Sequence, residues 1–424
     1  MINQENSFLT LIAKRWPETY RKLLQSPAIN PEVVNEPQAT FVINGIQLTS
    51  CYNQTAEASV QCSLIRASAQ EVTVYGTALG HAINQLLTRE DLLKITVVIL
   101  NLSVFKLTLL KFGQHQWLSN PKVDLVLART CNQVKYPFLA SPAELVLAED
   151  SAMRLRDKVC LELDTEFIDS HHQHNQVAKE QINHNLELIK SDHDARELVS
   201  TYKYKKEVYI AAAGPTLADH YALLAQRPEN TLLIAVDAAL RPLDSQNIIP
   251  DIVVTIDPKP DICFEQLDLE VYRNTSLAYF PRMASSLLKR WLGPRYCSYS
   301  VGALFDPINL IYPKMRLFSA GSVLHPAVDL AVKMGADKII LVGADFGYPY
   351  DTTHAFWPTN FTIPSIDDMG VHLVKNWKQE YICTLPNLRG YLRDLEDYIA
   401  LHPNVKFYSV SPNGAEINGA QLWT

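Results

Sequence analysis

Glu207-Val208-Tyr209-Ile210-Ala211-Ala212-Ala213-Gly214-Pro215-Thr216-Leu217 is the stretch on which the reading of the fold turns. Val208 to Ala212 is a short apolar run bounded by Gly and Pro, which suits a buried strand better than a helix. Gly214 lets the chain turn sharply with its backbone close to a neighbour. Pro215 suits the first turn of a following helix, where its missing N–H is no loss. The N–H groups of Thr216 and Leu217 then either face an anion such as a phosphate or simply open a helix.

The same rhythm repeats downstream. Leu232 to Val236 and Ile252 to Ile256 are apolar strands, and Met315 to Phe318 precedes Gly321-Ser322 and a helix through Met334. Lys338 to Val342 is the strongest strand. An amphipathic helix from Leu388 to Ala400 and a strand from Val405 to Val410 complete the series. Upstream, Phe8 to Leu24 has helical spacing interrupted at Pro17, and Thr40 to Tyr52 reads as a hairpin around Asn44-Gly45. Val72 to Tyr75, a helix through Leu87, Ile95 to Leu100 and Val123 to Leu127 form another strand–helix–strand series. Two α/β halves with parallel sheets follow, residues 1–165 and 166–424. Between them Asp164 to Leu198 is polar and mostly helical. Its His171-His172-Gln173-His174 cluster, with Asp169, matches no established metal-ligand spacing and suits a solvated surface.

Composition agrees with a globular chain of two or three domains. The 424 residues carry 38 Lys plus Arg against 45 Asp plus Glu, a formal charge of −7, with 47% hydrophobic and 20% charged residues. That excludes a collagen, a coiled coil and a disordered tail, and it gives no basic face for nucleic acid. Seven scattered cysteines without a C-x-x-C pair argue against a zinc ribbon or disulfide framework and for a reducing compartment. The first residues lack the basic and apolar regions of a signal peptide. Leu92 to Leu110 is interrupted by Lys94, Asn101 and Lys106, and its β-branched run fits a strand better than a membrane helix. A cytoplasmic protein without membrane insertion is expected.

Ligands of open parallel sheets bind beyond the carboxyl ends of the strands. In the second half those ends carry Gly214-Pro215-Thr216, Asp237, Asp257-Pro258 and Gly343-Ala344-Asp345, and Gly321-Ser322 starts a helix near them. Asp237, Asp257 and Asp345 each follow an apolar strand, so each must be solvated, hydrogen-bonded or ligand-bound. Together they could hold Mg²⁺ with a nucleotide, contact ribose and base, or cap neighbouring loops; Asp251 ends a turn. The aromatic loop Phe346 to Trp357 suits a lid or sugar platform, and His354 within it is the best-placed imidazole for proton transfer. In the first half, Gly76-x-x-x-Gly80 follows a strand like a dinucleotide or adenosyl-methionine loop. The next strand ends in Asn101 rather than the carboxylate such sites use for ribose, which favours a structural or partner-binding role.

At these residues the chain resembles the motility accessory factor (Maf) family of flagellated bacteria. The blocks that carry the resemblance are Ala212 to Leu217, Ala235 to Leu240, Ile249 to Pro258, Gly321 to Val323, Ile340 to Asp345, His354 and Gly414 to Gly419. Ser50-Cys51-Tyr52 with Glu57-Ala58 and the Gly76–Gly80 loop match more loosely. The resemblance implies a Rossmann-like, mostly parallel sheet in the second half, sialyltransferase-like and a GT-A variant, beside a smaller N-terminal α/β domain. It implies a protein O-glycosyltransferase that moves a nonulosonic acid, pseudaminic or legionaminic, from a CMP-activated donor to Ser or Thr of flagellin. No tightly bound cofactor is implied. Thr216 and Ser322 would stabilise the departing phosphate, Asp237 and Asp257 would orient the nucleotide, and Asp345 or His354 would take the hydroxyl proton. Tyr348 would contact the sugar or phosphate, and the first half would recognise flagellin. The chain departs from sialyltransferases at Ala213, where they have Asn. It departs again at Tyr381 to Asn387, where they place a catalytic His; the nearest upstream imidazole is His372. The alternatives are a 6-hydroxymethylpterin pyrophosphokinase using Mg²⁺–ATP and a non-catalytic flagellin-binding module.

Overall fold

The computed structural model describes residues 2–111, 115–131, 133–163, 176–256, 261–265, 267–352, 354–355 and 372–423. Asp257, the Asp169 to His174 cluster and the loop beyond Ala355 lie outside these. The chain forms two units, Met1–Cys160 and Leu161–Thr424.

The first unit opens with helices Ile2–Arg15 and Pro17–Gln25, broken at Trp16 because Pro17 disfavours helical backbone in the residue before it. A small antiparallel sheet follows, β1 (Glu32–Val34), β2 (Thr40–Ile43) and β3 (Ile46–Gln47), the last two joined by Asn44-Gly45 at positive φ. The expected hairpin is present. Its partner β1 went unread because three residues carry no pattern. The main sheet is parallel, in the order β6 (Val123–Leu127), β5 (Lys94–Ile99), β4 (Glu71–Tyr75), β7 (Phe138–Ala140). The apolar stretch from Leu92 thus divides into strand β5 and the helix Leu102–Leu110, where Asn101 accepts from the N–H groups of Ser103 and Val104. Asn101 is the cap of that helix.

The second unit is built on a ten-stranded sheet, and every pairing in it is parallel. Its order is β14 (Met315–Leu317), β13 (Arg295–Ser300), β12 (Ser276–Tyr279), β11 (Ile252–Thr255), β10 (Leu232–Val236), β9 (Glu207–Ala211), β15 (Lys338–Val342), β18 (Lys406–Ser409), β19 (Gln421–Leu422), with β8 (His193–Asp194) beside β13. A separate hairpin pairs β16 (His372–Lys375) with β17 (Tyr381–Thr384). The central strands are buried except at Lys338, which is why they read as near-continuous apolar runs. β12 and β13 were not anticipated, because Ser276-Leu277-Ala278-Tyr279 and Arg295-Tyr296-Cys297-Ser298-Tyr299-Ser300 mix polar groups into the core. Those groups are paired. Buried Asp192 accepts from Arg295 at 2.7 and 2.8 Å and from the Tyr279 hydroxyl at 2.9 Å. The α/β, mostly parallel fold class expected from the sequence is the one the chain adopts. Among the described residues no helix is long and apolar enough to cross a membrane.

Candidate functional site

Chain order reverses between β9 and β15: β10, β11 and β12 extend the sheet to one side, β18 to the other. Where the sheet splits in this way the strand ends leave a crevice. A cleft of about 200 Å³ opens there. Six of the anticipated residues line it: Gly214, Asp237, Ser322, Asp345, Tyr348 and His354. Ala213, Val323 and Leu388 add an apolar wall, Leu388 from the helix Pro386–Leu401.

The glycine-proline turn works differently from the sequence expectation. Gly214 N–H donates to the Gly343 carbonyl at 2.9 Å, so the loops after β9 and β15 continue to pair beyond the strands. Thr216 N–H donates to Asp345 Oδ2 at 2.8 Å, Leu217 N–H donates to the Gly214 carbonyl at 3.0 Å, and the segment Pro215–His220 is a 3₁₀ turn. Pro215, Thr216 and Leu217 are buried behind the cleft. The anion cradle expected at Thr216 and Leu217 is therefore corrected. A buried carboxylate within the chain takes the first N–H, and the tight turn takes the second. Gly214 is needed for that carboxylate. A Cβ there would lie 2.4 Å from the Gly343 oxygen and 2.5 Å from Asp345 Oδ2.

Asp345 is 2% exposed. Besides the Thr216 amide it accepts the Thr216 hydroxyl on Oδ1 at 2.5 Å, and the same hydroxyl lies 2.5 Å from Ser411 Oγ. Its carbonyl accepts from Ala415 N–H at 2.8 Å. Burial pushes its carboxyl up to about 6, against the Thr216 donors that pull it down. Asp345 thus ties the β9 loop, the β15 loop and the Ser411–Ala415 turn together, and its placement fits a positioning role better than that of a general base. Ser411 was missed because it shows its meaning only through this contact. Asp237 opens the helix Asp237–Asp244, with Oδ1 accepting from Ala238 N–H at 2.8 Å and Oδ2 from the buried Thr255 hydroxyl at 2.6 Å. Both aspartates in the described part of the site are accordingly engaged by the chain's own donors. Among the described residues no group of three His, Cys, Asp or Glu is placed to share a metal ion. Asp251, as expected, closes a turn, accepting from Leu233 N–H at 2.8 Å.

Ser322 sits on the opposite wall. Gly321 has φ +92° and packs on Tyr391, and a Cβ on it would come within 2.1 Å of the ring. The helix Leu324–Lys333 holds this turn from behind. His325 Nδ1 accepts from Ala320 N–H at 3.2 Å, His325 Nε2 meets the Tyr391 carbonyl at 2.9 Å, and Asp329 accepts from Phe318 N–H at 2.6 Å. His325 is wholly buried. It bonds through both nitrogens as a neutral imidazole, a role with no sequence signal beyond its place on the helix. Ser322 Oγ accepts from Leu324 N–H at 3.2 Å, and the N–H groups of Ser322 and Val323 have no main-chain partner among the described residues. The anion-friendly helix start lies here.

Phe346 at φ +46° turns the chain after Asp345, and the hairpin pins it: Thr384 Oγ1 donates to the Phe346 carbonyl at 2.6 Å, and Tyr348 N–H donates to the Cys383 carbonyl at 2.7 Å. Burial pushes the Tyr348 phenol up to about 12, so it stays a neutral donor. Burial lowers the His354 imidazole from its ordinary value, which favours its neutral form. His372 lies on β16 and does not line the cleft.

Fold and cleft define a two-unit α/β protein with a strand-end binding crevice. Residues 180–351 match the family model described as 6-hydroxymethylpterin diphosphokinase MptE-like. The chain resembles the Maf family, as its motifs indicate. Among solved structures it is similar to the MAf glycosyltransferase from Magnetospirillum magneticum AMB-1, at 13% identity and a TM-score of 0.45, covering 100% of this chain and 74% of that one. It is also similar to the C-terminal domain of glucosamine-fructose-6-phosphate aminotransferase from Francisella tularensis, at 11% identity and a TM-score of 0.21, covering 78% of this chain and 96% of that one. No curated protein matches.

Proposed function

We propose that the chain is a glycosyltransferase that transfers a nonulosonic acid, of the pseudaminic or legionaminic type, from a CMP-activated donor to Ser or Thr of flagellin. The observation that carries this reading is the gathering of Ser322, Tyr348, His354 and Asp237 at one strand-end cleft, in the family order of motifs. In the reaction the acceptor hydroxyl oxygen attacks the anomeric carbon. The bond from that carbon to the phosphate oxygen breaks, and CMP leaves with the electron pair. His354, neutral near pH 7, takes the hydroxyl proton. The Ser322 and Val323 amides, with the positive end of the helix Leu324–Lys333, oppose the charge that grows on the leaving phosphate. Tyr348 donates to sugar or phosphate, and Asp237 and Asp257 orient the nucleotide. Asp345 keeps the walls in register through Thr216 and Ser411. The first unit recognises flagellin, and the protein works in the cytoplasm.

The experiment is calorimetric titration of CMP and ATP, followed by intact-mass measurement of flagellin from cells carrying wild type or His354→Ala. CMP binding, with loss of the sugar mass in the variant by more than about tenfold, is expected. Tight ATP binding without CMP binding, or full sugar mass in His354→Ala, would reject the reading. The match of residues 180–351 to a diphosphokinase family favours a second reading, a Mg²⁺–ATP pyrophosphokinase acting on a pterin alcohol. Mg²⁺-dependent AMP release with that alcohol would establish it in place of the first.

A further inference from the structure

The first unit repeats the logic of the second. Its parallel sheet runs from β4 through β5 to β6 on one side and places β7 on the other, so the order reverses between β4 and β7. Beyond the carboxyl ends of those two strands lies a cavity of about 300 Å³, larger than the cleft of the second unit. That volume is at the lower end of the range for small-molecule sites, roughly 300–1,000 Å³. Its rim is the loop from Gly76 to Gly80, in which Gly76, Ala78 and Gly80 all have positive φ. Such a run of left-handed backbone is strained for Ala78 and persists only when something holds it. Glu144 holds it from beneath. Fully buried, it accepts from Ala78 N–H and from the Thr77 hydroxyl. The loop that read from sequence as structural or partner-binding is the wall of a cavity.

The lining defines what would fit. Among the described residues no Lys or Arg lines the cavity, so they offer no counter-charge to a phosphate or carboxylate. Among the described residues no aromatic ring but the His81 imidazole lines it, so it offers little stacking platform for a nucleobase. Its polar groups are acceptors and two-way donors. Glu57 has one oxygen engaged by Ser50 N–H at 2.8 Å, and His81 Nδ1 is buried without a partner among the described residues; Gln61, Thr77 and Ser141 line the same cavity. Leu79, Ile83 and Leu139 make an apolar floor against which a ring of C–H groups can lie. We infer that this cavity is a second ligand site, for a neutral polyhydroxylated molecule the size of a monosaccharide. Its hydroxyls pair with Glu57, His81 and Gln61, and its carbon face packs on Leu79 and Ile83. This site is independent of the function assigned to the second unit.

The test uses the full chain and saturation-transfer NMR with calorimetry. The probes are D-glucose, D-galactose, D-mannose and myo-inositol, with glucose 6-phosphate and adenosine as charged and planar controls. Binding of at least one neutral probe in the millimolar range or tighter is expected, with about tenfold or greater weakening in His81→Ala. Ala82→Phe, which removes no polar group and fills the cavity, should abolish binding while the melting temperature stays within about 3 °C. No neutral probe binding by about 20 mM overturns the inference. So does preference for either control, or binding unchanged in Ala82→Phe.

Discussion

Thr216→Val removes one hydroxyl from the centre of the second unit and keeps the shape. In the native chain that hydroxyl lies 2.5 Å from Asp345 Oδ1 and 2.5 Å from Ser411 Oγ, with all three groups buried. It has one proton. While Asp345 is ionised, Thr216 donates to the carboxylate and Ser411 donates to Thr216. A hydrogen bond to a charged acceptor contributes about 1.5–3 kcal/mol, and a neutral one about 1 kcal/mol. The Asp345 carboxyl titrates at about 6, above its ordinary value, so the folded state holds that proton more tightly than the unfolded chain. The stability this gives is fully present below the unfolded value of 3.8 and is lost as pH rises through about 6. Removing a donor raises the carboxyl further and extends that loss to higher pH. The cost of Thr216→Val is therefore about 1 kcal/mol near pH 4.5, growing to about 2–3 kcal/mol near pH 8. At about 2–4 °C per kcal/mol, the melting temperature should fall by about 4–12 °C at the higher pH. Thermal denaturation of both proteins across this range is the assay. A penalty that is flat with pH, or under about 0.5 kcal/mol near pH 8, would refute Asp345 as the ionised tie between the three loops.

His115 is wholly buried in the first unit among Phe105 and Trp117, and burial lowers its imidazole from 6.5 to about 4, against the Thr108 backbone, which raises it. The folded state there binds fewer protons than the unfolded chain, so this stability is complete above 6.5 and drains as pH falls toward 4. His115→Phe should remove up to about 3 kcal/mol of that acid sensitivity, measured as the difference between the two proteins' denaturant curves; parallel curves from neutral to acid pH would contradict it. Gly321→Ala meets both a φ of +92° and the Tyr391 ring, and should lower stability by about 2–4 kcal/mol and, on the proposed function, weaken CMP binding. An unchanged melt in that variant would show that the turn is not held as described.

The apolar runs Val208–Ala212, Leu232–Val236 and Lys338–Val342 announced their own strands, because a strand covered on both faces has no use for polar residues. The turn chemistry of Asn44-Gly45 and Gly214-Pro215 marked where the chain reverses, and the strand ends marked Asp237, Asp345 and His354 as candidates. These are local facts, written in side-chain size and polarity. Which amide meets which carboxylate is not local. Thr216 and Asp345 are far apart in the chain, and only the parallel pairing of β9 with β15 sets one against the other. A turn that could have cradled a phosphate instead binds the protein's own aspartate. The same holds for Ser411, for His325 behind Gly321, and for the Gly76 loop over Glu144. A buried polar group must find a partner, and the tertiary fold decides whether that partner is a ligand or another part of the chain.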